Sequence, residues 1–490
     1  MKQGAVITLV LAASVLAGAG GDDPIPWPTG APPTDLVLEA RVAEALDLLT
    51  VERFEEYREA QEKGEDSGHS TVYQDDIDLG QYTADDLFAF GDAVFGHEFR
   101  MLDGYADVQA VVPGRRVHDG SRGGLDTFSC SGCHSVGGPN GAGAATQNAY
   151  LFGNGETLDS TLVRNSPHVL GLGMVQAVAK EMSDDLQRQR AQALVDAEAS
   201  GRPTTVRLQT RGVDFGQLTA RPDGTVDDAG LEGIDPDLVV KPFGWKGQFA
   251  TLRRAIEDAA RIHFGIQSSV IAEQHRDTPM PDLLGPGPNW WDPDEDGLQR
   301  ELEEGSLTAT AVYLATLEVP VILPPSSPAL RDRWAQGDAL FDAVGCADCH
   351  TRALGLANSV WLEQPDTTEG TPFEIFLFED GEEPKGSPSV KLFSDLKRHD
   401  MGPILADPHA DTDHDIPVAT WLTRPLWGLA ETAPYLHDGR AATIPDAILA
   451  HGGEARDSRD RFAALSDDER ASLHVFLLSL TRTPKLRAPL

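Results

Sequence analysis

Four cysteines are all that this chain of 490 residues contains, and they fall in two copies of one pattern: Cys130-Ser131-Gly132-Cys133-His134 and Cys346-Ala347-Asp348-Cys349-His350. Each copy sets two thiols on one turn with an imidazole directly behind them, and any fold for the chain must present both turns to whatever they bind. C-x-x-C-H is the attachment sequence for c-type haem: the thiols form thioethers with the two vinyl groups of one porphyrin, and the histidine ligates its iron. A four-cysteine zinc site and a pair of redox dithiols are the rival readings. Two copies that consume every cysteine and carry the histidine both times favour two haem c groups.

The N-terminus agrees with the compartment in which such haem is attached. Lys2 precedes an apolar stretch from Gly4 to Ala19 that ends in the small residues Ala17-Gly18-Ala19, the pattern of a cleaved secretory signal. That stretch is short for a bilayer, and no later segment approaches the roughly 20 apolar residues a membrane helix needs. A periplasmic or secreted protein that does not span the membrane is expected. With 78 Asp and Glu against 40 Lys and Arg, the formal charge is −38, which disfavours nucleic acid as a partner. Such acidity suits a solvated surface first, and steering of a basic electron carrier second.

A short repeat precedes the two motifs, Gly91-Asp92-Ala93-Val94-Phe95 and Gly337-Asp338-Ala339-Leu340-Phe341, each where a helix would lead into the cysteine turn. Two related domains, differently decorated, follow from it. Asp35 to Glu65 carries leucines at helical spacing, and the stretch from Met182 to Pro242 reads as a charged helical piece and then an insertion with a hairpin around Arg221-Pro222-Asp223-Gly224-Thr225. Pro-rich stretches at 279–293 and 320–328 bracket a helix near Leu307 to Leu317, and the linker is placed there. Ser466-Asp467-Asp468-Glu469 is a capping box that opens a helix with Leu473, Phe476, Leu477 and Leu480 on one face.

Thr432-Ala433-Pro434-Tyr435-Leu436-His437-Asp438-Gly439, following the second haem motif, resembles a stretch of the bacterial di-haem cytochrome c peroxidases and of the methylamine-utilisation type of di-haem enzyme. Lys241 to Gly247, His399-Asp400-Met401-Gly402-Pro403 and Arg424 to Leu429 are similar to segments of the branch described as di-haem oxidoreductases. The resemblance runs from about Gly91 to Leu480. It implies a mainly α fold of two cytochrome c-like haem domains with a partly β insertion in the first. The boundaries that go with it are 1–19 for the signal, 20–84 for an N-terminal helical extension and 85–285 for the first domain, with the insertion at about 183–240. A calcium-loop-like segment and linker take 286–328, and the second domain takes 329–490.

The same resemblance assigns residues. The second haem's distal ligand lies fourteen residues beyond the histidine of H-D-G, which arrives at His451. Thr443 can cap a short helix whose last turn presents His451 before Gly452 and Gly453 end it. His350 and His451 would make a bis-histidine haem of lower potential than a His/Met one, with Met401 as the rival ligand. At the first haem, His134 is the proximal ligand. The position sixteen residues on, a reversible histidine ligand in the peroxidases, is Tyr150 here, and a pocket glutamate of the relatives aligns near His263. A distal His263 can move a proton between peroxide oxygens, or bind the iron and close the site. Trp245 matches the tryptophan between the two haems, ordinary packing being its alternative.

Calcium has two candidate places. Asn165 in Arg164-Asn165-Ser166-Pro167, with Thr432 and Pro434, matches the interhaem ion site of the relatives. Asp292, Asp294, Asp296 and Glu303 have the spacing of an EF-hand loop. His168, His118, His97 and His69 show no partner in the sequence and read as surface or capping residues. The resulting expectation is an oxidoreductase that reduces hydrogen peroxide with electrons from a small redox protein. A non-catalytic di-haem electron carrier and a high-valent-haem oxidase of unknown substrate are its alternatives.

Overall fold

The computed structural model describes residues 71–99, 116–118, 121–123, 127, 129–134, 148–151, 161–264, 266, 268, 302–358, 360–364, 372–377, 389–409 and 416–482. The expected signal, most of the N-terminal extension, and Asp292, Asp294 and Asp296 lie outside them. Within them helices dominate, accompanied by several two-stranded ladders and one three-stranded sheet. No helix among them is long and apolar enough to cross a membrane.

Helix α1 (Ala84–Gly96) starts where Thr83 accepts from the Asp86 amide while the Asp86 carboxylate accepts from the Thr83 amide, a reciprocal cap of two otherwise unpaired donors. Helix α2 (Leu172–Ser200) is buried along its first half and reaches into solvent with its second. There it carries a meander of β3 (Thr204–Thr210), β4 (Val213–Ala220) and β5 (Val226–Asp227), preceded in the chain by the pair β1 (Ala149–Leu151) and β2 (Leu162–Arg164). The expected hairpin is seen at Arg221 to Thr225, where the Arg221 amide donates to the Thr225 carbonyl at 2.8 Å. Helix α3 (Leu252–Phe264) follows the meander, and α4 (Glu304–Thr316) is buried at every residue.

Total burial of α4 explains why its sequence lacks a polar face. Thr310 and Thr316 turn their hydroxyls onto the carbonyls of Ser306 and Val312, both at 2.8 Å. Its neighbours approach through glycine: a Cβ on Gly91 of α1 would fall on the Ala309 carbonyl, and one on Gly173 of α2 on the Ala315 carbonyl. The Pro-bracketed helix that the sequence places in a linker therefore packs against the first repeat, because only small residues at this crossing let the helices meet.

The second repeat is packed in the same way. Helix α5 (Pro328–Ala343) crosses α7 (Asp467–Leu477) where a Cβ on Gly337 would fall on the Ser472 carbonyl. Phe341 lies 5.4 Å from Phe476 and 5.7 Å from Phe393, within a cluster that includes Val344, Ile444, Leu473 and Leu480. Each such side chain contributes roughly 1.5–3 kcal/mol by leaving water. The ladder of β6 (Val321–Ile322) with β9 (Leu480–Thr481) ties the two ends of this unit together.

One more ladder, β7 (Arg398–Asp400) with β8 (Thr420–Leu422), forms the seam between the units. Asp407 receives a bidentate Arg164, both bonds at 2.8 Å, and also pairs with Lys246 at 3.2 Å. Lys246 is fully buried, donates to the carbonyls of Pro417, Val418 and Thr420, and lies 4.0 Å from the centroid of the Trp421 ring. His437 stacks on that ring at 3.8 Å.

Candidate haem sites

Both cysteine turns close alike. The His134 amide donates to the Cys130 carbonyl at 3.0 Å, and the His350 amide to the Cys346 carbonyl at 2.9 Å, so in each motif the imidazole is drawn back over its own two thiols. Ser129 caps the first turn, its Oγ accepting from the Gly132 amide at 3.2 Å. Gly345, at φ 90°, gives the second its entry. None of the four thiols forms a disulfide, and they do not converge on one point. Among the described residues the one group close enough to hold a metal is Cys349, Asp395 and His399, so the four-cysteine zinc reading fails. Burial, with the neighbouring Cys133, pushes the Cys130 thiol up to about 12, and burial does the same to Cys346. Reactive thiolates of a redox dithiol are not what these surroundings favour.

Against the first turn lies a cavity of about 270 Å³, walled by Phe95, Phe99, Leu162, Leu172, Phe243 and Phe264 and entered by few polar groups. An apolar cleft with a small number of placed polar groups is the usual form of a cofactor site. Cys130, Cys133 and His134 line it, and so do His263 on α3 and Trp245. Burial, then the charge of His263, pulls His134 down to about 4, so it is held as a neutral base. In β1, Ala149 and Leu151 reach the cavity wall and Tyr150 between them does not, as strand alternation requires. Trp245 donates from Nε1 to the Asn165 carbonyl at 2.7 Å, and its own carbonyl accepts from the Leu422 amide of β8 at 3.1 Å. It is thus pinned between the two units.

Around the second turn two imidazoles are oriented by carbonyls. His350 Nδ1 lies 3.0 Å from the Phe393 carbonyl and His451 Nδ1 lies 2.7 Å from that of Ala447, which puts the proton on Nδ1 and leaves Nε2 of each as the atom with a lone pair to offer a metal. Burial and then the charge of His451 pull His350 down to about 4, and burial lowers His451. Helix α6 (Ile444–Ala450) is capped by Thr443, whose Oγ1 accepts from the Asp446 amide, and ends at His451 as the sequence predicts. Met401 sits on the neighbouring loop, its carbonyl beside Gly452.

Of the calcium candidates, Asn165 and Pro434 both border Gly439, and Thr432 donates to the Leu429 carbonyl. Asn165 Nδ2 donates to Asn148 Oδ1 at 2.9 Å. Glu303 is the residue before α4, and its expected partners lie outside the described residues. Sequence reading missed two residues of the first cavity. His168, taken as a surface or capping histidine, is 9% exposed and lines it. Arg424 lines it too, and a lone cation inside the apolar run from Trp421 to Trp427 was the available signal.

The family model described as "Di-haem oxidoreductase, putative peroxidase" matches residues 309–480, from α4 to β9. The likeness carried by the motifs is therefore shown over that stretch, and it supports an oxidoreductase of the di-haem class. No curated protein matches the chain. Among solved structures it is similar to a MauG-like protein associated with microbial copper homeostasis, at 18% identity over 53% of this chain and 77% of that one, with a TM-score of 0.26. It is also similar to hydrazine synthase of Kuenenia stuttgartiensis, at 17% identity over 36% of this chain, with a TM-score of 0.21. The chain spans 56% of that hydrazine synthase chain.

Proposed function

We propose that the chain is an exported, periplasmic or secreted di-haem oxidoreductase that reduces hydrogen peroxide, taking electrons from a small redox protein. The observation that carries this reading is the single cavity lined by Cys130, Cys133, His134 and His263. The haems, once bound, supply redox chemistry and an iron position for peroxide. Cys130 and Cys133 would hold one porphyrin and Cys346 and Cys349 the other, one in each cytochrome c-like domain. His134, His350 and His451 would present a ring nitrogen to iron.

Peroxide reduction consumes two electrons and two protons and releases two waters. His263 would take the proton from one peroxide oxygen and return it to the other, as an imidazole with two ring nitrogens can. The apolar wall excludes bulk water from that exchange. Trp245, tied to Asn165 and to β8, would couple the two sites. A calcium ion on Asn165, Thr432 and Pro434 would brace the seam, and the Asp292 to Glu303 loop is a second candidate site.

A bis-histidine first site is the second reading, favoured by His263 sharing the cavity with His134: both irons saturated, and the protein a carrier of electrons only. The test adds one electron equivalent to the anaerobic di-haem protein, then hydrogen peroxide and a donor. Rapid peroxide loss is expected. No reaction, with both haems remaining low-spin, would establish the carrier. Turnover of another substrate would point to the high-valent oxidase instead.

A further inference from the structure

Two groups on the wall of the first cavity have no anionic partner among the described residues. His168 accepts the Leu170 amide at Nδ1, at 3.4 Å, so the neutral ring carries its proton on Nε2. That Nε2 is buried and has no hydrogen-bond partner. The Pro425 carbonyl lies near enough to favour the charged ring, at a geometry that does not complete a bond to Nε2. Leaving a buried donor unpaired is unfavourable, so its persistence calls for an acceptor.

Arg424 is the second group. Its guanidinium donates to the Gly244 carbonyl at 3.4 Å and lies 5.3 Å from the centroid of the Trp245 ring. Among the described residues no carboxylate pairs with it, whereas the deep cations Arg164, Lys246, Arg253 and Arg482 each have one. Burial alone pulls it down to about 10. The two groups are also close enough for the charge of Arg424 to act on His168. A cation and a neutral donor, side by side and both without an anion, describe a site for one carboxylate.

Resting on the haem reading above, we infer that Arg424 and His168 together hold one propionate of the first haem. Arg424 supplies the charge and His168 Nε2 the second hydrogen bond. The pair would fix the tilt of the porphyrin on the side of the cavity shared with Trp245. It would also set the first haem's potential, since a propionate stripped of its cation favours the ferric state, which carries one more positive charge. His168 is on this account a positioning residue that does not ligate iron.

The test is anaerobic potentiometry of the intact di-haem protein, read by absorbance, on Arg424→Gln, Arg424→Lys and His168→Gln. His451→Met identifies the second haem's wave by moving it. The expected result is a lower midpoint for the first haem in Arg424→Gln and in His168→Gln, an unmoved second wave, a midpoint close to wild type in Arg424→Lys, and an unchanged spin state throughout. A first wave that stays put, or a shift confined to the second, would overturn the inference and leave the haem reading standing. So would a change of spin state in His168→Gln, which would make His168 an iron ligand. Fewer than two covalent haems by mass in the wild-type protein would remove the haem reading itself.

Discussion

Around Cys130 and around Cys346 the chain builds the same turn, and then sets different things against the histidine. Both turns follow a helix whose glycine meets a second helix at backbone distance, Gly91 on Ala309 and Gly337 on Ser472. Both draw the histidine amide onto the first cysteine's carbonyl. Beyond that, His350 and His451 each have Nδ1 fixed by a carbonyl. His134 has no bond of that geometry, its Nδ1 being buried without a partner although the Pro167 carbonyl favours its charged form. Its surroundings are a cavity with His263, His168 and Arg424 on the wall. The turn is thus repeated and its surroundings are not: on the function proposed above, one site would hold two ligands firmly and the other would admit a reactant.

Deleting each pair of thiols gives the hardest test of that division. Cys130→Ala with Cys133→Ala should remove one covalent haem and abolish peroxide loss. Cys346→Ala with Cys349→Ala should remove one haem and stop electron delivery, while cyanide still binds the haem that remains. Mass and cyanide titration read both outcomes. Equal cyanide binding in the two double variants would erase the distinction between the sites.

Single substitutions on the facing histidines should act differently as well. His263→Gln is expected to slow the reaction with peroxide roughly 10²–10⁴-fold, the span of a lost acid–base group, with the second haem's spectrum unchanged. His451→Gln should instead open the second haem to cyanide. If His263→Gln left the rate alone and only changed the first haem from low to high spin, the electron-carrier reading would gain.

How much of this was legible beforehand follows from what local sequence encodes. The cysteine turns, the glycine repeat, the capping box at Ser466 and the Thr443 helix ending at His451 are all short-range patterns, and the structure shows each as a local element. The role of the helix near Leu307 was not legible, because a helix buried on every side carries no amphipathic period to say what it packs against. His168 and Arg424 were missed for a related reason: their meaning comes from segments 256 residues apart in sequence meeting at one cavity. Lys246 and Asp407 form their buried pair across 161 residues.

The two glycine crossings should respond alike if the packing is truly shared. A methyl group at Gly91 or Gly337 meets backbone carbonyl that cannot retreat, and overpacking of this kind costs roughly 1–3 kcal/mol. Alanine's better helix propensity returns about 1 kcal/mol. Gly91→Ala and Gly337→Ala are therefore both expected to lower Tm by several degrees, and a loss in only one of them would show that the repeat is not packed equivalently.

The smallest expected effect lies at the seam, where neither site's chemistry is involved. Burial, followed by the charges of Arg164, Arg440 and Lys246, pulls His437 down to about 2, and the neutral ring stacks on Trp421. An unfolded chain takes up this proton near the ordinary value of 6.5, and the folded one refuses it until about 2. The contribution of His437 to stability is therefore complete above pH 6.5 and is lost as pH falls toward 2, at a slope of at most roughly 1.4 kcal/mol per pH unit. Other buried histidines add to the same slope, so the share of His437 is read by difference. His437→Asn should lower Tm at pH 7.5 and bring the variant closer to wild type at pH 5. A gap between the two proteins that stayed constant from pH 7.5 to 5 would mean that the folded chain takes up the His437 proton as readily as the unfolded one, so that the ring is charged at pH 5. The stack on Trp421 would then be a third cation beside that ring, with Asp407 and Asp438 as the carboxylates facing Arg164, Lys246 and His437.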